Sequence, residues 1–117
     1  MKMEPQILED GLITVAKNIK AIGGEHANAD ADHLDAKELL DVYEEELKNF
    51  FNDGTKITQA ELTRLAKTSD KYKERLQELQ QKRRTAMGLK ARLAGERAMH
   101  ESLRSISSLE KVKANLI

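Results

Sequence analysis

Cysteine is absent from the chain, which removes disulfides, thiolate nucleophiles and sulfur-ligated metal centres. A cysteine-free chain fits a reducing compartment, and the expected location is cytoplasmic. Proline occurs once, at Pro5, and the aromatics are two Tyr and two Phe with no Trp. Strand-rich folds draw on β-branched and aromatic residues and on many turns, so that class is excluded. No apolar run approaches the ~18 residues of a membrane span. The opening residues Met1-Lys2-Met3-Glu4-Pro5 show no apolar signal core, so no secretory signal is expected. There is no Gly-rich phosphate loop, GxSxG elbow or HExxH pair. Glu44, Glu45 and Glu46 would point in different directions on a helix, and Ser105, Ser107 and Ser108 have no base close by in sequence. The chain is therefore expected to be neither an enzyme nor a cofactor or small-molecule binder.

Ala, Leu, Glu, Lys, Arg and Gln, the strong helix formers, supply much of the sequence. The expected fold is all-α, in one helical domain over residues 1–117. Leu8, Leu12, Val15, Ile19 and Ile22 follow Pro5 at spacings of 4, 3, 4 and 3, one stripe on a helix. Gly23-Gly24 reads as its stop, and residues 23–32 (GGEHANADAD) as a polar linker. Asp35 with Glu38 resembles a capping box opening a second helix, with Ala36, Leu40, Tyr43, Leu47 and Phe50 as its stripe. Leu39 and Phe51 would widen that stripe, and Asn52-Asp53-Gly54 would end it. Thr58 with Glu61 is a further capping box, followed by the seam Leu62, Leu65, Ser69, Tyr72, Leu76, Leu79. An unbroken helix over 59–94 would be ~54 Å long. Past Leu79 the apolar residues move to another face, and Gly88 and Gly95 lie where the phase shifts. A break is expected at Gly95, and Ser107 with Glu110 would cap a final turn. The predicted helices are 6–22, 35–52, 59–94 and 96–116. They would form an antiparallel bundle of three to four helices with a long third helix and coiled-coil-like seams. The competing arrangement is a helical hairpin followed by one long self-associating helix.

The formal net charge of zero conceals a split. Residues 1–55 carry 5 basic against 13 acidic side chains, and residues 56–117 carry 15 against 7. An acidic hairpin over about 5–53 would thus precede a basic segment over about 58–117. Arg83, Lys90, Arg97, Arg104 and Lys111 recur every seventh residue, flanked by Lys82, Arg84 and Arg92. On a continuous helix such a series drifts only ~20° per step. It could lie against the acidic residues Asp35, Glu38, Asp41, Glu44, Glu45 and Glu46, within the chain or across subunits. It could instead follow a phosphate backbone, although no aromatic is interleaved to stack on bases. Leu76, Leu79, Met87, Leu89, Leu93, Met99, Leu103 and Ile106 are the candidate apolar docking residues, with Met87 and Met99 as its adaptable members. His26, Asp30, Asp32 and His33, beside Glu25, could ligate a divalent metal. Their spacing matches no established motif, and an EF-hand register from Asn28 would put His33 where Gly is needed and Leu39 where Glu is needed. A polar linker is the simpler reading of those four, and partial burial the simpler reading of His100. Together these features predict a helical protein-interaction module, an adaptor, chaperone or assembly subunit, with a protein partner and a homodimer. A nucleic-acid-associated protein using residues 82–104 is the alternative.

Overall fold

A computed structural model describes residues 4–52, 54 and 57–115. It contains three α-helices, α1 (Pro5–Phe51), α2 (Gln59–Thr68) and α3 (Asp70–Asn115), and no strand among the described residues. The fold class is therefore all-α, as composition and period indicate.

The helices do not divide where the local signals suggest. α1 continues through Gly23-Gly24 and through the whole of 23–32, so the expected helices 6–22 and 35–52 are one element of 47 residues. Asp35 starts nothing. The stripe from Leu8 to Ile22 is carried on by His26, Ala29, His33 and Ala36 into Leu40, Tyr43 and Leu47, always at steps of 3 or 4. Every one of these side chains is buried or half-buried. Two glycines cost a helix about 1 kcal/mol each against alanine. Ala27, Ala29, Ala31 and Ala36 are strong helix formers, no proline interrupts, and the continuous seam supplies packing that a free linker would lose. At the far end the stripe runs to half-buried Phe51, while Phe50 and Leu39 are exposed.

Asn52 N–H donates to the Lys48 carbonyl at 2.9 Å, and Gly54 adopts a φ of 94°, a left-handed conformation suited to glycine. Asp53, the middle residue of the expected turn, lies outside the described residues. Thr58 caps α2 as predicted: its hydroxyl oxygen accepts from Glu61 N–H at 3.2 Å. The return half of the capping box is replaced. The Glu61 carboxylate takes the Arg64 guanidinium instead, with Nε at 3.3 Å, and that hydrogen bond lowers its pKa.

α2 stops at Ser69, a position expected to lie inside a helix over 59–94. Thr68 turns its hydroxyl back to the carbonyls of Arg64 and Leu65 at 3.0 and 3.1 Å. Ser69 leaves the helical conformation (ψ 137°) and accepts from Tyr72 N–H at 3.5 Å, capping α3 as it ends α2. Asp70 then places a negative charge in the first turn of α3, where the helix dipole favours it. α3 passes Gly88 and Gly95 without interruption and runs 46 residues. The break expected at Gly95, the separate helix 96–116 and the cap at Ser107 are all absent. The expected phase shift is present. Ala86, Leu89 and Leu93 are buried or half-buried while the seam positions Arg83 and Lys90 are exposed, so the inward face leaves the line set by Tyr72, Leu76 and Leu79.

The chain forms two compact units: Met1–Ala27 with Met87–Ile117, and Asn28–Ala86. In the first, Leu8, Val15, Ile22 and Leu93 are buried. Gly11 lies against Leu103, whose Cδ1 would be 3.5 Å from a Cβ at that position. In the second, Leu40, Leu62, Ala66, Tyr72 and Ala86 are buried. There the Arg75 guanidinium sits 5.7 Å from the centre of the Tyr43 ring. His33 and Lys37 share a cleft with Leu79 and Arg83, whereas the later Tyr43 of α1 meets the earlier Arg75 of α3, so the two helices run antiparallel within this unit. Burial raises the Tyr72 pKa, and the nearby carboxylates Glu44 and Asp41 add to the effect.

Candidate protein-docking groove

The candidate site lies in the first unit. Ile7, Gly11, Thr14 and Asn18 follow one another along α1 at steps of 4, 3 and 4. Arg92, Glu96, Met99, Leu103 and Ile106 do the same along α3 at steps of 4, 3, 4 and 3. Each series is a line beside the buried seam. Where they meet, Ile7, Gly11, Val15, Met99 and Leu103 line a groove of about 430 Å³, with Asp10, Thr14, Asn18 and Glu96 as its polar members. Ile7 is 57% exposed and Met99 55%, so large apolar side chains stand open at its edges.

Glu96 Oε2 is buried and accepts no hydrogen bond among the described residues. A buried carboxylate oxygen without a donor is costly, because it has given up water for nothing. A donor brought into the groove would remove that cost. Arg92, one turn away on the same line, is exposed and forms no ion pair among the described residues.

The residues expected to carry function are distributed over both units. Leu93 is buried, and Leu89, Leu103 and Ile106 are half-buried in the first unit. Leu76 and Leu79 are half-buried in the second. These six belong to or border the intramolecular seams. Of the two methionines, only Met99 faces the groove, while Met87 is exposed and lines none of it. The cations Lys90, Arg92, Arg97 and Arg104 are exposed in the first unit, and Arg83 and Arg84 are exposed in the second. Arg104 reaches Glu101 at 3.5 Å. All five ion pairs join residues three or four apart on one helix, so among the described residues none links α1 to α3.

His26 falls in the first unit, and Asp30, Asp32 and His33 in the second. Both histidines are half-buried seam residues, and both aspartates are exposed. Among the described residues no three His, Asp or Glu side chains converge as metal ligands would. Ile7, Asp10, Gly11, Thr14, Asn18 and Glu96 are the groove residues that the sequence reading missed. Their signal was a second 3–4 spacing beside the dominant one. No described helix is long and apolar enough to cross a membrane. Comparison of the chain with protein-family models, curated proteins and solved structures finds no match.

Proposed function

We propose that this chain is a non-enzymatic helical interaction module, an adaptor, chaperone or assembly subunit of the cytoplasm. It docks a partner helix along the groove of its first unit and completes a helical bundle with it. The observation that carries this reading is the groove: an apolar trough with exposed Ile7 and Met99 at its edges and an unpartnered carboxylate oxygen within it. An amphipathic helix lays its apolar residues into such a trough. A photo-crosslinking side chain placed at Met99 in cells is expected to give one discrete protein adduct. The same probe at exposed Lys20 should give none, and Ile7→Asp should remove the adduct at Met99. Equal labelling from both positions would defeat the docking reading.

A second reading has its own support. α3 does not break at Gly95, so Lys90, Arg97, Arg104 and Lys111 remain on one helix, all exposed. Such a line can neutralise successive phosphates. Gel shifts with duplex DNA and with RNA at low salt test it. Binding should weaken steeply with salt and vanish in Lys90→Glu with Arg97→Glu. No shift at low salt would eliminate nucleic acid as a ligand.

A further inference from the structure

Gly88 and Gly95 lie seven residues apart in the interior of α3, and a Cβ at either would meet nothing within 4 Å. Neither has a positive φ. Nothing among the described residues therefore requires glycine there, although each costs the helix about 1 kcal/mol against alanine. Gly88, Arg92, Gly95 and Met99 follow at steps of 4, 3 and 4, so they share a face. On that face stand an exposed apolar knob, Met99, two positions without side chains, and an exposed cation, Arg92. Glu96, whose Oε2 has no donor, is one turn from Arg92.

These features are complementary to themselves when the face is turned around. We propose that the groove of the first unit takes the same face of a second copy of this chain. The two α3 helices would cross antiparallel about a two-fold axis beside residues 93–94. That operation sets Arg92 of each copy against Glu96 of the other, and Met99 of each over Gly88 of the other. An isologous interface needs this self-complementarity, with each contact made twice. The guanidinium supplies the hydrogen bonds that Glu96 Oε2 lacks, in a setting where charge-assisted bonds are strong. The glycines let the backbones approach, and Ile7 and Met99 lose their exposed apolar surface. This inference rests on the docking reading of the groove and names its occupant.

Charge exchange tests it. The intact chain is followed by sedimentation equilibrium up to ~1 mM, where an association with a Kd of ~1 mM still populates dimer. The expected species has twice the 13.2 kDa chain mass. Arg92→Glu leaves carboxylates at both positions, and Glu96→Arg leaves guanidinium groups at both. Each variant alone should self-associate at least tenfold more weakly. Mixed in equal amounts, they should recombine into a one-to-one dimer, because both cross-pairs are then of opposite sign. Met99→Asp, at an exposed position, should also weaken association tenfold while leaving the helical circular dichroism unchanged. A wild-type chain that stays monomeric overturns the proposal. So do single variants that still dimerise, a mixture that does not recombine, or a Met99→Asp chain that associates like wild type. A monomeric wild type whose Met99 adduct contains another protein would overturn the second copy as occupant and leave the docking reading standing.

Discussion

Gly24 and Gly95 are both exposed and helical, and both leave open space where a Cβ would stand. Alanine at either should stabilise the isolated chain by about 0.5–1 kcal/mol, since helix propensity is the only quantity that changes. Urea unfolding at a concentration too low for association would measure both gains. Gly95→Ala should also weaken self-association, because it puts a methyl group on the face that the second copy approaches. Gly24→Ala should not. Equal effects of the two on association would separate Gly95 from the interface. At this scale some residues are legible in sequence and others are not. The Thr58 cap is readable because a hydroxyl three positions before its N–H partner is a local relation. The missing return bond of Glu61 is not, because Arg64, one turn on, competes for the same carboxylate. Glu96 looks like any surface glutamate in a Glu- and Lys-rich helix. Its orphaned oxygen exists only once Leu103 and the α1 line close around it.

Helices in this chain are set by the seam more than by their punctuation. The 3–4 spacing of Leu8 to Ile22 and of Leu40 to Leu47 was readable, and its buried face is the one observed. Between them Gly23-Gly24 and a polar run signal a turn that does not form. His26, Ala29, His33 and Ala36 keep the same spacing with weakly apolar residues, so a reading that counts only Leu, Ile and Val loses the thread. Packing along a continuous seam outweighs two glycine penalties of about 1 kcal/mol. The same weighting explains α3. Gly88 and Gly95 read as breakpoints, yet the helix continues and the inward face only shifts, from Leu79 and Ala86 to Leu89 and Leu93. The true break needs no glycine. Thr68 and Ser69 end α2 with side-chain hydrogen bonds to the backbone, although half-buried Leu65 and Ser69 and buried Tyr72 carry the 4, 3 spacing across the break. The groove escaped sequence reading for a related reason. Its two lines, from Ile7 to Asn18 and from Arg92 to Ile106, are mixed in polarity, and only their apposition makes a site.

Charge gives a different picture for the whole molecule than for the sequence. The front and back parts carry 5 basic against 13 acidic and 15 against 7. Each compact unit instead draws on both ends or on the middle of the chain. Residues 28–86 then hold 11 basic and 13 acidic side chains, and the other unit holds 9 and 7. The large opposed charges of the two sequence halves thus shrink to a net of two within either unit, and like-charge repulsion is small. This near-cancellation does not depend on cross-helix ion pairs. The observed pairs all lie within single helices, and Glu61–Arg64 and Glu101–Arg104 are exposed. Exposed local pairs contribute about 0–1 kcal/mol each and are screened by salt. Stability should therefore respond weakly to ionic strength. Between ~0.05 and ~1 M NaCl the Debye length falls from roughly 14 to 3 Å. The urea-derived stability of the dilute chain should change by less than about 1 kcal/mol over that range. A loss of several kcal/mol would mean that attraction between acidic α1 and basic α3 holds the second unit together. Dimerisation should behave differently, because its Arg92–Glu96 contacts join two molecules and no seam holds them in register. Added salt is expected to raise the dimer dissociation constant while leaving unfolding of the dilute chain almost unmoved. That separation, read in one salt series by sedimentation and by urea titration, distinguishes charge used for assembly from charge used for folding.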